Sequence, residues 1–138
     1  MPLVRIDLPA ATSTADVAAV SHAVHRALVE LFNVPEDDRF QLIGRRQPDE
    51  LVCAPRYLGI EHSDQVVVVQ MAVSPGRPVA LKEQLYARIA AGIAGSTRFR
   101  ADDVIINLVE TLRENWSFGG GIAQYAVQDR DRAAGGAS

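Results

Sequence analysis

The sequence holds a single cysteine, Cys53. No internal disulfide can form, so the fold has to rest on its apolar core, and a reducing cytoplasmic location is expected. Cys53 sits among Val52, Ala54 and Pro55 without a local basic partner, which marks an inert thiol. Long hydrophobic runs are missing too. The longest strongly apolar run is Val66–Val69, far too short to span a bilayer. Arg5 and Asp7 interrupt the start, where a secretory leader needs an apolar stretch. Nor is there an excess of positive charge: 14 basic against 17 acidic side chains leave a net −3. That balance provides no field for nucleic acid or an anionic membrane. Gly119-Gly120-Gly121 lacks a following Lys-Ser or Lys-Thr and any dinucleotide-type spacing, which excludes a phosphate loop. It is expected to let backbone pass close to a pocket or a neighbouring subunit. His22 and His25 stand three apart on one predicted helix with no third ligand in view, so neither a metal site nor a cofactor is expected.

What is present is an ordinary globular balance, 48% hydrophobic and 22% charged over 138 residues, enough for one domain with its own core. Leu3–Leu8 reads as a strand closed by Pro9. Thr12 or Ser13 offers an N-cap. Val17, Val20, Val24, Leu28 and Leu31 then fall at helical steps from Thr14 to Phe32, stopped by Asn33 and Pro35. Phe40–Ile43 reads as a second strand, ended by Gly44, and residues 45–64 as a long irregular segment. The pattern then begins again. Val66–Val73 is a β-branched run suited to a central strand. Pro78 opens a helix carrying Leu81, Leu85, Ile89 and Ile93, which Gly95 and Ser96 weaken at its end, and Val104–Val109 is a further strand. Asp37-Asp38 and Asp102-Asp103 lie 65 positions apart, each before a strand that follows a helix.

The sequence therefore predicts an α/β (α+β) fold of two β-α-β units, about 2–45 and 65–110. Each unit makes a parallel strand pair, and together they form a four-stranded sheet with both helices on one face. A C-terminal segment 111–127 completes a single domain over 1–127, and the polar, glycine-rich tail 128–138 is expected to be disordered. The bare sheet face needs cover, for which oligomerisation is the simple answer.

Pro2 stands directly before the first strand. With Met1 removed it would present a secondary amine, and an α-amine has a reference pKa of about 7.7–8.0. Burial or a nearby arginine disfavours the cation and populates the free base that proton transfer requires.

Pro2-Leu-Val-Arg-Ile-Asp-Leu8 resembles the amino terminus of tautomerase superfamily proteins. Asn33-Val-Pro-Glu-Asp-Asp-Arg-Phe-Gln41 resembles the helix-to-strand turn of the malonate semialdehyde decarboxylase-like branch. Tyr57-Leu-Gly-Ile60, Gly76-Arg77 and Asn115-Trp-Ser-Phe-Gly-Gly-Gly-Ile-Ala-Gln-Tyr125 are similar in order and spacing, so the resemblance spans residues 2–125. It implies a double β-α-β fold assembled as a homotrimer. It implies Pro2 as the catalytic amine, Asp38 as the carboxylate that holds the amine or positions a water, and Arg77 as the arginine for the substrate carboxylate. Arg77 also precedes Pro78 at a helix N-terminus, where an anion is favoured. Trp116, Phe118 and Tyr125 are expected as pocket walls. The decarboxylases of that branch carry two arginines before the second helix, where Ser74-Pro75-Gly76-Arg77 has one. The expected activity is keto–enol tautomerisation of a small 2-oxo acid such as phenylpyruvate. Malonate semialdehyde decarboxylase or hydratase activity is the alternative, and a non-catalytic trimer of the same fold is a third reading.

Overall fold

A computed structural model describes residues 1–136. Six strands and three helices follow in the order β1 (Leu3–Pro9), α1 (Thr14–Phe32), β2 (Gln41–Arg46), β3 (Arg56–Tyr57), β4 (Ile60–Glu61), β5 (Val67–Val73), α2 (Val79–Ser96), β6 (Val104–Glu110) and α3 (Gln124–Gly135). β1 alternates strictly, burying Val4, Ile6 and Leu8 and turning Leu3, Arg5 and Asp7 the other way, as a strand covered on one face must. α1 begins at Ser13, whose Oγ accepts from the Asp16 N–H at 3.1 Å. Asp16 in the first turn adds charge where the helix dipole favours it. The helix ends at Asn33, which takes φ 55° and donates its N–H to the Leu28 carbonyl. Asparagine tolerates that left-handed geometry better than most residues.

The two β-α-β units are present. β1 pairs parallel with β2, and β5 pairs parallel with β6. The units join through antiparallel β1–β5 pairing, giving the sheet order β2-β1-β5-β6. α1 and α2 cover one face together. Val20, Val24 and Leu28 of α1 and Leu85, Ile89 and Ile93 of α2 close over Ile6, Leu8, Val69 and Met71, all at or below 1% exposure. The helices approach closely at Gly92, where an added Cβ would stand 3.3 Å from the Ala23 Cβ.

The other face is uncovered within the chain. Register puts Leu42, Arg5, Gln70 and Asn107 in one row across it, with Gln70 Nε2 donating to Asn107 Oδ1 at 3.0 Å. Apolar residues stand on either side of its polar members, Leu42 at the β2 end of the row at 46% exposure and Val109 two positions beyond Asn107 at 44%. No helix among the described residues is long and apolar enough to cross a membrane.

Three expectations need correction. Gly44 does not end β2, which runs on to Arg46. A Cβ at Gly44 would stand 2.6 Å from Asp7 Oδ1, so the glycine leaves room for the Asp7 carboxylate to accept from Arg46 Nε at 2.7 Å. The segment 45–64 is not wholly irregular. β3 and β4 form a small hairpin around Leu58 and Gly59, both at positive φ (49° and 79°), the geometry of a tight two-residue hairpin loop. The tail is not disordered from 128: α3 continues through Gly135, tied down by Arg113 Nε on Asp129 at 3.0 Å. Its residues carry little apolar periodicity but good intrinsic helix propensity. Residues 137–138 of that expected tail lie outside the described residues.

The α1 C-terminus provides a stability test. Asn33→Ala should lower unfolding free energy by about 1 kcal/mol, because a Cβ without a locally bonding side chain disfavours left-handed geometry. Asn33→Gly should not. Urea melts of the two variants against the parent check this, and equal loss in both would show that the backbone geometry is not the cause.

Candidate active site

Antiparallel pairing of β1 with β5 sets Leu3 beside Ala72, and parallel pairing of β5 with β6 sets Val73 beside Glu110. The Val4 N–H donates to the Phe40 carbonyl at 3.0 Å, and the Thr111 N–H to the Val73 carbonyl at 2.9 Å. One edge of the sheet thus gathers the start of β1, the turn before β2, the loop before α2 and the chain after β6. Pro2 lies buried at this edge.

The turn from Pro35 to Phe40 is held at several points. The Asp38 N–H donates to the Pro35 carbonyl at 3.0 Å. His25 Nε2 donates to the Glu36 carbonyl at 2.8 Å, and Arg26 Nη1 to Glu36 Oε1 at 2.6 Å. Asp38 comes out of this turn with Oδ2 3.8 Å from the Met1 amine, its side chain 19% exposed. Its Oδ1 is buried without a hydrogen-bond partner, as is Trp116 Nε1. A buried acceptor left unpaired costs about 1–3 kcal/mol, and more when charged, so such an atom asks for an explanation.

Across from Asp38 stands an aromatic wall. Trp116 and Phe118 stack at 5.3 Å with 14° between planes. Phe118 meets Tyr125 edge-on at 5.0 Å and Phe40 at 6.3 Å. The loop that carries Phe118 is pinned by Gln124, whose Oε1 accepts from the Phe118 N–H at 2.9 Å and whose Nε2 donates to the Gly119 carbonyl at 3.0 Å. The three glycines that follow Phe118 take φ 141°, 69° and 70°. Only glycine visits such a run freely. Within the chain no atom crowds them closer than 4.0 Å, so backbone conformation, and not close packing, calls for glycine here. Between wall and turn lies an open cleft of about 340 Å³, with Met1, Asp38, Phe40, Phe118 and Tyr125 on its sides. Burial first, and the Asp38 charge second, push the Tyr125 phenol above its ordinary pKa, against an opposing pull from Arg113, which stacks 4.1 Å over the ring. The phenol therefore stays protonated at neutral pH.

Arg77 lies at the same edge but is turned towards the end of α1. Nη2 donates to the Phe32 carbonyl at 3.0 Å and Nη1 to the Ser74 carbonyl at 3.1 Å, and the guanidinium sits 4.2 Å over the Phe32 ring. Burial lowers its pKa from the usual guanidinium value and Glu110 partly offsets this; arginine nonetheless keeps its charge in proteins. Two of its five N–H donors are thereby occupied.

The structure thus brings Asp38, Phe118 and Tyr125 together around one cleft, with Met1 in front of Pro2 and Trp116 backing Phe118. Arg77 is at the edge without lining the cleft. His22 and His25 do not act as a pair: His22 is exposed, and His25 is buried against the Glu36 carbonyl. Among the described residues no group of three His, Cys, Asp or Glu side chains could hold a metal ion. Phe40 and Gln124 are cleft residues that the sequence reading missed. Phe40 was absorbed into the β2 pattern, although a large apolar residue just before an edge strand is a usable signal. Gln124 carried no signal, since its part depends on the glycine loop closing back on it.

With this geometry in hand, known proteins are informative. Sequence models of tautomerase enzymes match residues 38–119 and residues 2–61. The chain is 36% identical over 124 residues to "Probable tautomerase YusQ" of Bacillus subtilis (strain 168), covering 90% of this chain and 98% of that one. It superposes on the FG41 malonate semialdehyde decarboxylase inhibited by 3-bromopropiolate with TM-score 0.84 and 34% identity, covering 92% of this chain and 96% of that one. A fused 4-OT symmetric trimer shares the fold at TM-score 0.72 and 18% identity, covering 90% and 98%. Tautomerase models that together span residues 2–119, a relative 36% identical along nearly the whole chain and a shared fold lead to one conclusion: this is an enzyme of the tautomerase superfamily, in its malonate semialdehyde decarboxylase-like branch.

Proposed function

We propose that the protein, with Met1 removed, uses the Pro2 amine as its acid–base catalyst in keto–enol tautomerisation of a small 2-oxo acid such as phenylpyruvate. One observation carries this reading. Met1 lines the cleft and its amine reaches to 3.8 Å from Asp38, so loss of Met1 would open the Pro2 nitrogen onto the aromatic wall, beside a carboxylate oxygen that nothing else satisfies.

The chemistry follows from the charges. Burial of Pro2 favours the neutral amine, and the Asp38 carboxylate favours the cation. The neutral amine takes the C3 proton of the oxo acid, the electron pair moves into a C2–C3 double bond, and the ammonium so formed returns the proton to the carbonyl oxygen to give the enol. The return step reverses each transfer. Tyr125, kept protonated, faces the substrate as a hydrogen-bond donor and not as an anion. Phe118 and Phe40 supply flat apolar surface for an aryl side chain, with Trp116 bracing Phe118 from behind. Arg77 has donors left after its two backbone bonds, and it is the cation we assign to the substrate carboxylate.

A second reading is favoured by the 34% identity to a malonate semialdehyde decarboxylase over 92% of the chain. Decarboxylation of a 3-oxo acid uses the protonated amine, which polarises the carbonyl while the C–CO₂ bond breaks. The two readings differ in the sign of one pH limb. For tautomerisation kcat/KM rises as pH passes upward through the amine pKa, and for decarboxylation it falls. Ultraviolet assays with phenylpyruvate enol and with 3-oxopropanoate, run side by side across pH, separate them. Protein shown by mass spectrometry to retain Met1 should be inactive. Full activity with Met1 in place would exclude the amine, leave Asp38 as the next base, and open the way to a different chemistry.

Arg77→Ala should raise KM for the oxo acid by about ten- to a hundredfold, since a charge-assisted bond is worth about 1.5–3 kcal/mol. Arg77→Lys should recover only part, because an ammonium cannot present a planar fork. An unchanged KM in Arg77→Ala would place the anion elsewhere.

The uncovered sheet face, with its polar row between apolar flanks, is the surface on which we expect three copies to assemble. Light scattering at micromolar concentration should give a mass near three times 14.9 kDa. A clean monomer mass would refute this.

A further inference from the structure

Ser21, His25 and Asp103 are the buried polar or charged residues among those described, at 8%, 6% and 1% exposure. Two of them lie one turn apart on the buried face of α1, where apolar residues would normally pack. Both reach the segment that carries Asp38, from opposite sides. His25 Nε2 donates to the Glu36 carbonyl at 2.8 Å, two residues before Asp38. Ser21 Oγ accepts from Arg39 Nη2 at 2.6 Å, one residue after it. Ser21 Oγ also donates to Gln41 Oε1, and Gln41 Nε2 donates to the Ser21 carbonyl at 3.1 Å. Asp38 itself makes no comparable side-chain bond among the described residues: its ion pair there is with the Met1 amine at 3.8 Å, and Oδ1 has no partner.

We propose that Ser21 and His25 are positioning residues that hold Asp38 against the Pro2 amine by gripping both flanks of its turn. The inference rests on the functional reading above and deepens it. A carboxylate kept in place by its own hydrogen bonds would spend its acceptors on them. Here the restraint is applied to the neighbouring backbone and side chains, so both Asp38 oxygens remain available to the amine and substrate. Such support from packed surroundings is what a site needs to keep its geometry. The helix serves as the rigid member, since α1 is locked to the sheet by Val20, Val24 and Leu28, each at or below 1% exposure.

The consequence is electrostatic. Asp38 close to the amine raises its pKa, and an Asp38 free to swing away raises it less. Other charged or titratable groups at this edge are Glu36, paired with Arg26, and Asp37 and Arg39 of the same turn, Arg77 before α2, the Lys82–Glu110 pair at the start of α2 and end of β6 (3.1 Å), the Arg113–Asp129 pair beyond β6, and the Tyr125 phenol. None of these is altered in the test. Ser21→Ala and His25→Leu enzymes lacking Met1 should each show a lower Pro2 amine pKa in a direct ¹⁵N NMR titration, by about half a unit. The pH limb of kcat/KM should move to lower pH with it, and kcat/KM at the plateau should fall by roughly three- to tenfold, the factor one lost hydrogen bond carries. His25→Gln keeps an N–H donor at similar reach and should restore both. Asp38→Asn is the reference, and thermal unfolding is recorded for every variant. If Asp38→Asn lowers the amine pKa but Ser21→Ala and His25→Leu change only the unfolding temperature, the positioning role is overturned while the role of Asp38 stands. If Asp38→Asn leaves the amine pKa unmoved, the functional reading of Asp38 fails and this inference falls with it.

Discussion

The antiparallel pairing of β1 with β5 is the constraint on which the rest of the molecule depends. Each β-α-β unit is internally parallel, so each leaves its strands starting at one edge and ending at the other. Joined antiparallel, the two units bring opposite ends together. The start of β1 and the turn into β2 meet the exit of β5 and the exit of β6. An amino-terminal residue, an acidic turn and a helix-leading arginine, separated by tens of residues in the chain, come to one edge for this reason. Joined in parallel, the same units would put Pro2 and Arg77 at opposite ends of the sheet.

The same pairing accounts for a difference between two carboxylates that the sequence presents as equivalents. Asp38 and Asp103 each close an Asp-Asp pair, and each precedes the second strand of its unit. Asp103 is buried to 1% exposure, and both its oxygens are occupied: Oδ1 accepts from the Ser63 N–H at 2.8 Å and Oδ2 from the Ser63 Oγ at 2.6 Å. Arg100 adds charge at 3.7 Å. It pins the segment entering β5 to the turn entering β6, at the far edge of the sheet. Asp38, at the near edge, has its buried Oδ1 unpaired among the described residues and its Oδ2 3.8 Å from the Met1 amine. The repeat was visible in the spacing of the acidic pairs, but spacing cannot tell a satisfied carboxylate from an unsatisfied one. That distinction depends on which loops the topology brings to each edge.

Elements whose apolar residues face the core were legible. α1 was bounded at Thr14 and Phe32 by its cap and its periodicity, and the buried face of α2 was read from Leu85, Ile89 and Ile93. These signals come from burial, which writes itself into the pattern. Elements held by other means were not legible. α3 has no buried residue and stands by propensity and by Arg113 on Asp129. The β3–β4 hairpin turns at Leu58, a residue type that rarely takes positive φ. β2 continues through Gly44 because a glycine there accommodates the Asp7 carboxylate, a cross-strand fact. In the cleft, Asp38, Phe118 and Tyr125 were found because chemistry-bearing residue types stood in recognisable strings. Phe40 was hidden in the β2 pattern, and Gln124 acts through a loop closure that left no trace in the sequence. Ser21 drew no notice in the sequence and His25 only as a neighbour of His22, since nothing there said that either would face the core or which turn it would hold.

Arg77 shows how a residue can be rightly located and still differ in its bonding. Its place before α2 suggested a guanidinium aimed outward with a helix N-terminus behind it. Instead it reaches across to α1, caps the Phe32 carbonyl and stacks on the Phe32 ring. The carbonyls at a helix C-terminus have no intrahelical donor and carry partial negative charge, so a half-buried guanidinium is well placed there. The arrangement ties the end of α1 to the start of α2, and with them the Asp38 turn that follows α1 to the loop that precedes α2. The positive charge is thereby fixed relative to the carboxylate by the two helices that also form the core. Sign and position at this edge are set by packing of the two helices. The aromatic wall is held separately, through Gln124 bonding the Phe118 N–H and the Gly119 carbonyl. On the function proposed above, the α1–α2 side would set the charges that act on the substrate, and the 116–125 segment would shape the apolar surface that it meets.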